Sequence, residues 1–271
     1  MRQAALVLAV LLALLVVLSS PAAAQSDKSP YDVDTWPELS LTVGLGTASV
    51  LLPKLFLESD LDAPPCGSCD SDDVNGFDRP VTGYYSTAAQ HTSDVTIAVL
   101  VLSPYLLSGL EGFDGEWAKD AVVYTESLGV TLVLTQIVKY VVRRPRPFTY
   151  NPDAPGNKKR QYDSTLSFMS GHSAISFTMA TAAAYTWQLR HPDGNSKYVV
   201  WGGLMSLAAT TASLRVIGGE HFFSDVLVGG AVGILVGLVV PWLHRAETGN
   251  EKARVAGQGP LLSPMGIGFA W

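Results

Sequence analysis

The sequence is short of cysteine, of charge and of any alternating strand pattern. Two cysteines in 271 residues exclude a multi-disulfide scaffold and any metal site built mainly on thiolates. Charged residues make up 15% and hydrophobic ones 48%, too few charges for disorder and more apolar matter than an ordinary soluble enzyme carries. No tandem repeat or low-complexity tract is present, so one domain is the simplest organisation. A basic excess is missing too. Acids outnumber bases 24 to 18, for a net charge of −6, which argues against a nucleic-acid binder. The imbalance is uneven: residues 1–138 hold 17 acids and 5 bases, whereas 139–271 hold 7 acids and 13 bases. Cations gather in the second half.

Arg2 is followed by an apolar stretch and then by Ser19-Ser20-Pro21-Ala22-Ala23-Ala24. Positive end, apolar centre and small-residue run are the order of a secretory signal, predicted over 1–24 with a mature chain from about Gln25. The stretch, about 14 residues, is short against the roughly 20 needed to span. The residue after it then lies outside the cytoplasm, where Cys66-Gly67-Ser68-Cys69 reads as a local disulfide, since no βαβ pattern surrounds it. Asp70 to Gly76 lacks the twelfth-position glutamate of a calcium loop and reads as an acidic loop.

Long apolar windows predict helices at 93–110, 120–142, 172–189, 197–216 and 225–243. The last carries 18 uncharged residues after Asp225, a spanning segment. Its glycines at 229, 233 and 237 share one face and let another helix approach closely. The expectation is an all-α, membrane-embedded bundle of about five to six helices: a loop-rich and interfacial region over 25–92, a catalytic bundle over 93–244 and a polar tail over 245–271. Residues 40–57 are apolar but interrupted by Pro53 and Lys54, and are expected as an interfacial or packed helix. With an outside start, that choice leaves Lys139 and Arg146 outside; a spanning 40–57 would put them in the cytoplasm.

Seven of the 18 bases fall between 139 and 160: Lys139, Arg143, Arg144, Arg146, Lys158, Lys159 and Arg160. Pro145 and Pro147 force Arg144 and Arg146 out of helical geometry, and two residues apart in extended chain they share a face. Alone, this segment also fits a patch meeting lipid headgroups. Ser170-Gly171-His172-Ser173 opens the next helix, whose free amides and dipole make a ready anion site. Further on, Arg215 ends a helix, Gly218-Gly219 breaks the chain, and His221 and Asp225 lie four apart on one helix face. Such a pair fixes which imidazole nitrogen holds the proton and frees the other for attack.

In order and spacing these three segments resemble the signature of the type 2 phosphatidate phosphatase superfamily, which includes bacterial acid phosphatases and vanadium haloperoxidases. Its pattern of lysine, six residues, Arg-Pro is matched by Lys139 to Arg146-Pro147. Pro-Ser-Gly-His is matched by Met169-Ser170-Gly171-His172, and Ser-Arg, five residues, His, three residues, Asp by Leu214-Arg215 to His221 and Asp225. Met169 and Leu214 depart from the pattern at positions that supply no catalytic side chain. The resemblance implies a phosphatase with no metal and no cofactor. Lys139, Arg146, Ser170, Gly171 and Arg215 would hold the phosphate. His221 would be the nucleophile, Asp225 its orienting group and His172 the general acid, through a phosphohistidine. It also implies a bacterial-type inner membrane protein with an extracytoplasmic site, acting on a lipid-linked phosphate: phosphatidate, a polyprenyl diphosphate or a lipid A phosphate. A soluble-substrate periplasmic acid phosphatase, a vanadate-dependent haloperoxidase and a non-catalytic phosphate-binding membrane protein are the alternatives. His91, His191 and His244 lie outside the motifs and are expected at surfaces or interfaces.

Overall fold

A computed structural model describes residues 29–33, 42, 44, 47 and 69–246. Five long helices make up the described bundle: α1 (Thr87–Gly109), α2 (Gly115–Val142), α3 (Gly171–Arg190), α4 (Ser196–Ile217) and α5 (Phe223–Leu243). A single helical turn, Gly156–Lys159, and short 3-10 turns occupy the connections. Among the described residues the only β pairing is an isolated bridge between Tyr31 and Arg245. The protein is therefore all-α, as its apolar windows predict. α1 and α2 begin several residues before those windows because polar caps start them. Ser86 Oγ accepts the Ala89 amide at 3.3 Å, and Asp114 accepts the Glu116 and Trp117 amides at 3.0 Å each. These caps satisfy amides that the first turn of a helix leaves without partners.

α3 is the central helix and packs against all four others. It is built for that place from small residues: Ser173, Ala174, Ser176, Thr178, Ala180, Thr181, Ala182, Ala183 and Ala184 are all buried. Some of its hydroxyls are partnered inside the bundle, Thr178 Oγ1 with Ala174 O at 2.9 Å and Ser173 Oγ with Val226 O at 2.7 Å, whereas those of Ser176 and Thr181 have no hydrogen-bond partner among the described residues. The four surrounding helices are each long and apolar enough to cross a membrane. Lipid thus faces apolar helices while protein faces the polar one, the arrangement a bilayer requires.

The glycine stripe of α5 sets how near α3 can come. A Cβ on Gly229 would lie 2.6 Å from Ser170 O, one on Gly237 2.5 Å from Thr178 O, and one on Gly233 closer still to Ala174 O. Each of these nearest atoms is backbone, which cannot swing aside. The close approach matters for function because Asp225 lies in the first turn of α5 and His172 in the first turn of α3, so this contact sets their separation.

α3, about 30 Å long at 1.5 Å per residue, separates two ends of the bundle. At the C-terminal end of α3, Arg190 ion-pairs with Glu111 and with Asp120. Ser29 Oγ donates to Asp120 at 2.7 Å, and the Tyr31 hydroxyl meets Thr186 Oγ1 at 2.6 Å. The Ala246 amide donates to Pro30 O at 2.9 Å. His191 stacks on Trp187 with centroids 4.1 Å apart, His244 lies 3.1 Å from Glu126, and His91 is exposed. Cys69 lies at the opposite end, disulfide-bonded and 3.6 Å from Thr149 Oγ1. Cys66, residues 1–24 and the tail beyond 246 lie outside the described residues. Of 40–57, Thr42, Gly44 and Thr47 are described and helical, with Thr42 against Gly129 of α2.

Replacing Gly233 with Val is expected to lower the thermal midpoint in detergent by an amount equivalent to 1–3 kcal/mol or more, the usual cost of overpacking. An unchanged midpoint would show that α3 and α5 have room to separate.

Candidate active site

The three motifs converge where α2 ends and α3 and α5 begin. Val142 is the last residue of α2; Arg143 takes a left-handed conformation at φ 48°, and its amide closes onto Lys139 O at 2.9 Å. The chain from 143 to 146 is non-helical, as its prolines require, and turns Arg144 and Arg146 inward. Lys139, one turn from the end of α2, runs beside Gly171: a Cβ on that glycine would be 4.0 Å from Lys139 Cε. Ser170 caps α3, its Oγ accepting the Ser173 amide at 3.3 Å. The amides of Gly171 and His172 open the helix without acceptors inside it.

His221 is 1% exposed. Its Nδ1 lies 2.7 Å from the carbonyl of Ser167; a carbonyl only accepts, so Nδ1 carries the hydrogen and Nε2 keeps its lone pair. Burial first, and then the charges of Arg146, Arg215 and Lys139, hold the imidazole well below its ordinary pKa. The ring is neutral, the state a nucleophile needs.

Asp225 does not contact His221 directly. Its Oδ2 is 3.7 Å from Nδ1, beyond hydrogen-bond reach. It instead accepts the Ser167 hydroxyl and the Phe222 amide, the latter at 2.8 Å, and its own carbonyl accepts the Ser170 amide at 3.1 Å. Its other oxygen takes Arg144 Nη1 at 2.7 Å. Arg144 reaches on to Asp78 at 2.8 Å and lies 3.9 Å above the Phe222 ring. Asp78 accepts the amide and hydroxyl of Ser224 at 2.9 and 2.6 Å. Ser167, Arg144 and Asp78 thus brace the His221 segment, and none belongs to the sequence motifs.

Arg146 is buried and heavily engaged. Its Nε and Nη2 donate to the carbonyl and carboxylate of Asp163 at 2.8 Å each. Its Nη1 serves Glu220, both the carboxylate and, at 3.3 Å, the carbonyl. Four of its five N–H groups therefore already have protein acceptors. Arg215 is freer: Nη1 donates to Ser93 Oγ at 3.2 Å and Nη2 lies 3.3 Å from Glu220. Its Nε is buried with no hydrogen-bond partner among the described residues. A buried donor without an acceptor is costly, and an anion placed there would satisfy it.

Glu220, between the Gly-Gly break and His221, takes both arginines and also Lys158 at 2.6 Å. Burial opposes its ionisation, but Arg146, Arg215 and Lys158 outweigh it and hold its pKa to about 2. Gly219, at φ 73°, makes this turn possible, since a Cβ there would collide with the Tyr84 carbonyl. His172, the last of the predicted site residues, stands at the rim with Nε2 2.9 Å from Asp94 Oδ1 of α1. Among the described residues no three His, Cys, Asp or Glu side chains gather so as to hold a metal ion. Ligands for an anion are what the pocket offers.

All the motif residues thus meet in one place: Lys139, Arg146, Ser170, Gly171, His172, Arg215, His221 and Asp225. Arg144 is marked in the sequence only by its shared face with Arg146, and Asp78, Asp94, Asp163, Ser167 and Glu220 reach the site only through the fold.

A carboxyl held low contributes stability fully present above its ordinary pKa of 4.5 and lost as pH falls toward about 2. Glu220→Gln should therefore flatten the fall of the melting temperature across that window. An unaltered pH dependence would mean that the Glu220 charge does not brace the arginines.

Residues 120–248 match the sequence model of the PAP2 superfamily. The lipid A 1-phosphatase of Porphyromonas gingivalis is 32% identical over 164 residues, 57% of this chain and 32% of that protein. Phospholipid phosphatase 1 of Rattus norvegicus is 30% identical over 146 residues, 45% of this chain and 52% of that one. A probable lipid phosphate phosphatase beta of Arabidopsis thaliana is 28% identical over 125 residues, 40% and 57% of the two chains. The chain spans roughly a third to a little over half of the length of these relatives. Among solved structures, a transmembrane PAP2-type phosphatidylglycerolphosphate phosphatase from Bacillus subtilis is 19% identical, covering 86% of this chain and 92% of that one at a TM-score of 0.39, too low to bear on either fold or activity. The helices that carry the converging motifs lie largely within the stretch that is similar to the PAP2 superfamily.

Proposed function

We propose that the protein is a membrane phosphatase that hydrolyses a lipid-linked phosphate monoester or diphosphate through a phosphohistidine on His221. One observation carries the reading: a buried, neutral imidazole has its Nδ1 proton pinned by Ser167 O, which leaves Nε2 for attack within the field of Arg146, Arg215 and Lys139. Nε2 of His221 bonds to phosphorus as the bond from phosphorus to the leaving oxygen breaks. His172 gives that oxygen its proton. Lys139, Arg215, the amides of Gly171 and His172 and the remaining N–H of Arg146 hold the phosphoryl oxygens as charge builds on them. Water then attacks phosphorus, His172 takes a proton from it, and phosphate leaves. Asp225 acts through Ser167, fixing the carbonyl that fixes the imidazole. Apolar helices ending at the site support a lipid-linked substrate, as do relatives named for lipid A, phospholipid and lipid phosphate. Phosphatidate, a polyprenyl diphosphate and a lipid A phosphate are the substrate classes of this reading.

His221→Ala is expected to lower phosphate release in detergent by at least about 10⁴-fold while leaving the melting temperature within a few degrees. Substantial residual turnover would remove His221 as nucleophile.

The reading also places the site outside the cytoplasm. Cys69 is disulfide-bonded at the site end, and disulfides persist in oxidising compartments. Tyr31 and Arg245 pair at the other end. The reading keeps the site end outside the cytoplasm. Single cysteines from Pro155→Cys, at the site end, and Gly194→Cys, at the far end, would be placed in a chain lacking Cys66 and Cys69. In intact cells an impermeant reagent should label the first and spare the second. The reverse would put the site in the cytoplasm.

A further inference from the structure

We propose that Asp94, which belongs to none of the three motifs, is the positioning residue of the general acid and directs the His172 proton to the leaving group. The inference rests on the reading of His172 as proton donor. Asp94 lies in the second turn of α1. Its Oδ1 is 2.9 Å from His172 Nε2 and 3.6 Å from Arg215 Nη1, and its neighbour Ser93 accepts from that same Nη1. Two adjacent residues of α1 thus reach the two motif residues that face the rim, one from α3 and one from α4.

Chemistry fixes the direction of the contact. An ionised carboxylate only accepts, so Nε2 carries the hydrogen and Asp94 holds it. When protonated, the ring has one other N–H, at Nδ1, to give. As the phosphorus to oxygen bond breaks, the leaving oxygen takes the Nδ1 proton, and His172 becomes neutral with its Nε2–H still on Asp94. When water attacks the phosphohistidine, its proton returns to Nδ1. Asp94 stabilises the charged form of the ring and fixes its orientation, the service a carboxylate renders a catalytic imidazole elsewhere.

The bland account is a surface ion pair. Asp94 is 55% exposed, and an exposed pair is worth about 0–1 kcal/mol of stability. That account predicts no dependence on the leaving group, whereas positioning of an acid does. An alkoxide is strongly basic and leaves only with a proton; para-nitrophenolate leaves without one. Asp94→Ala is therefore expected to lower kcat/KM for decyl phosphate by roughly tenfold or more, a fraction of the 10²–10⁴-fold that general acids supply. For para-nitrophenyl phosphate the change should stay within about twofold. His172→Ala should show the same selectivity more strongly, and Asp94→Ala added to it should cost nothing further. Equal losses on both esters would point to Arg215 and phosphate binding and overturn the assignment, as would full additivity with His172→Ala. A wild-type protein that hydrolyses both esters while Asp94→Ala leaves decyl phosphate untouched sinks this inference alone. A wild-type protein that hydrolyses neither removes the phosphatase reading along with it.

Discussion

Holding like charges together in a buried place is the constraint on which the site depends. Lys139, Arg146 and Arg215 surround a fully buried His221, and without offsetting charge their repulsion and desolvation would be prohibitive. Glu220 and Asp163 supply the offset. Glu220 lies on both arginines, and Asp163 holds the outer edge of Arg146. The compensation is incomplete by design of the fold: Arg215 Nε stays buried without an acceptor. A phosphate group thus meets donors already oriented, with little reorganisation left to do.

The rest of the bundle keeps this cluster in register. α3 brings Ser170, Gly171 and His172 to the cluster, α5 brings Asp225, and the glycine stripe allows the two helices to approach within backbone contact. At the opposite end a second charged cluster, Arg190 with Glu111 and Asp120, ties α3 to α2 and to the segment around Ser29 and Tyr31. The central helix is therefore pinned at both ends while lipid-facing helices surround it. Its small polar side chains, unsuited to lipid, suit a place with protein on every side.

Much of this is legible in the sequence because local rules govern it. Apolar windows locate the five helices, Pro145 and Pro147 end α2 before the arginines, and Gly229, Gly233 and Gly237 announce a close helix contact. The eight motif residues lie together as their spacing implies. What escapes is tertiary. That Ser167 rather than Asp225 receives the His221 proton depends on how the loop before α3 folds over α5. Asp78 and Asp94 reach the site from segments with no motif at all, and Glu220 occupies a position the family pattern leaves unspecified.

The account's central claim is that His221 Nε2 becomes covalently phosphorylated. The most direct test is to react the detergent-solubilised protein with a radiolabelled phosphate ester, quench in alkali, and map the labelled peptide. A label on the peptide containing His221 that survives alkali and is lost in acid is the predicted result. A label that resists acid, sits on another residue, or never appears despite turnover would contradict it.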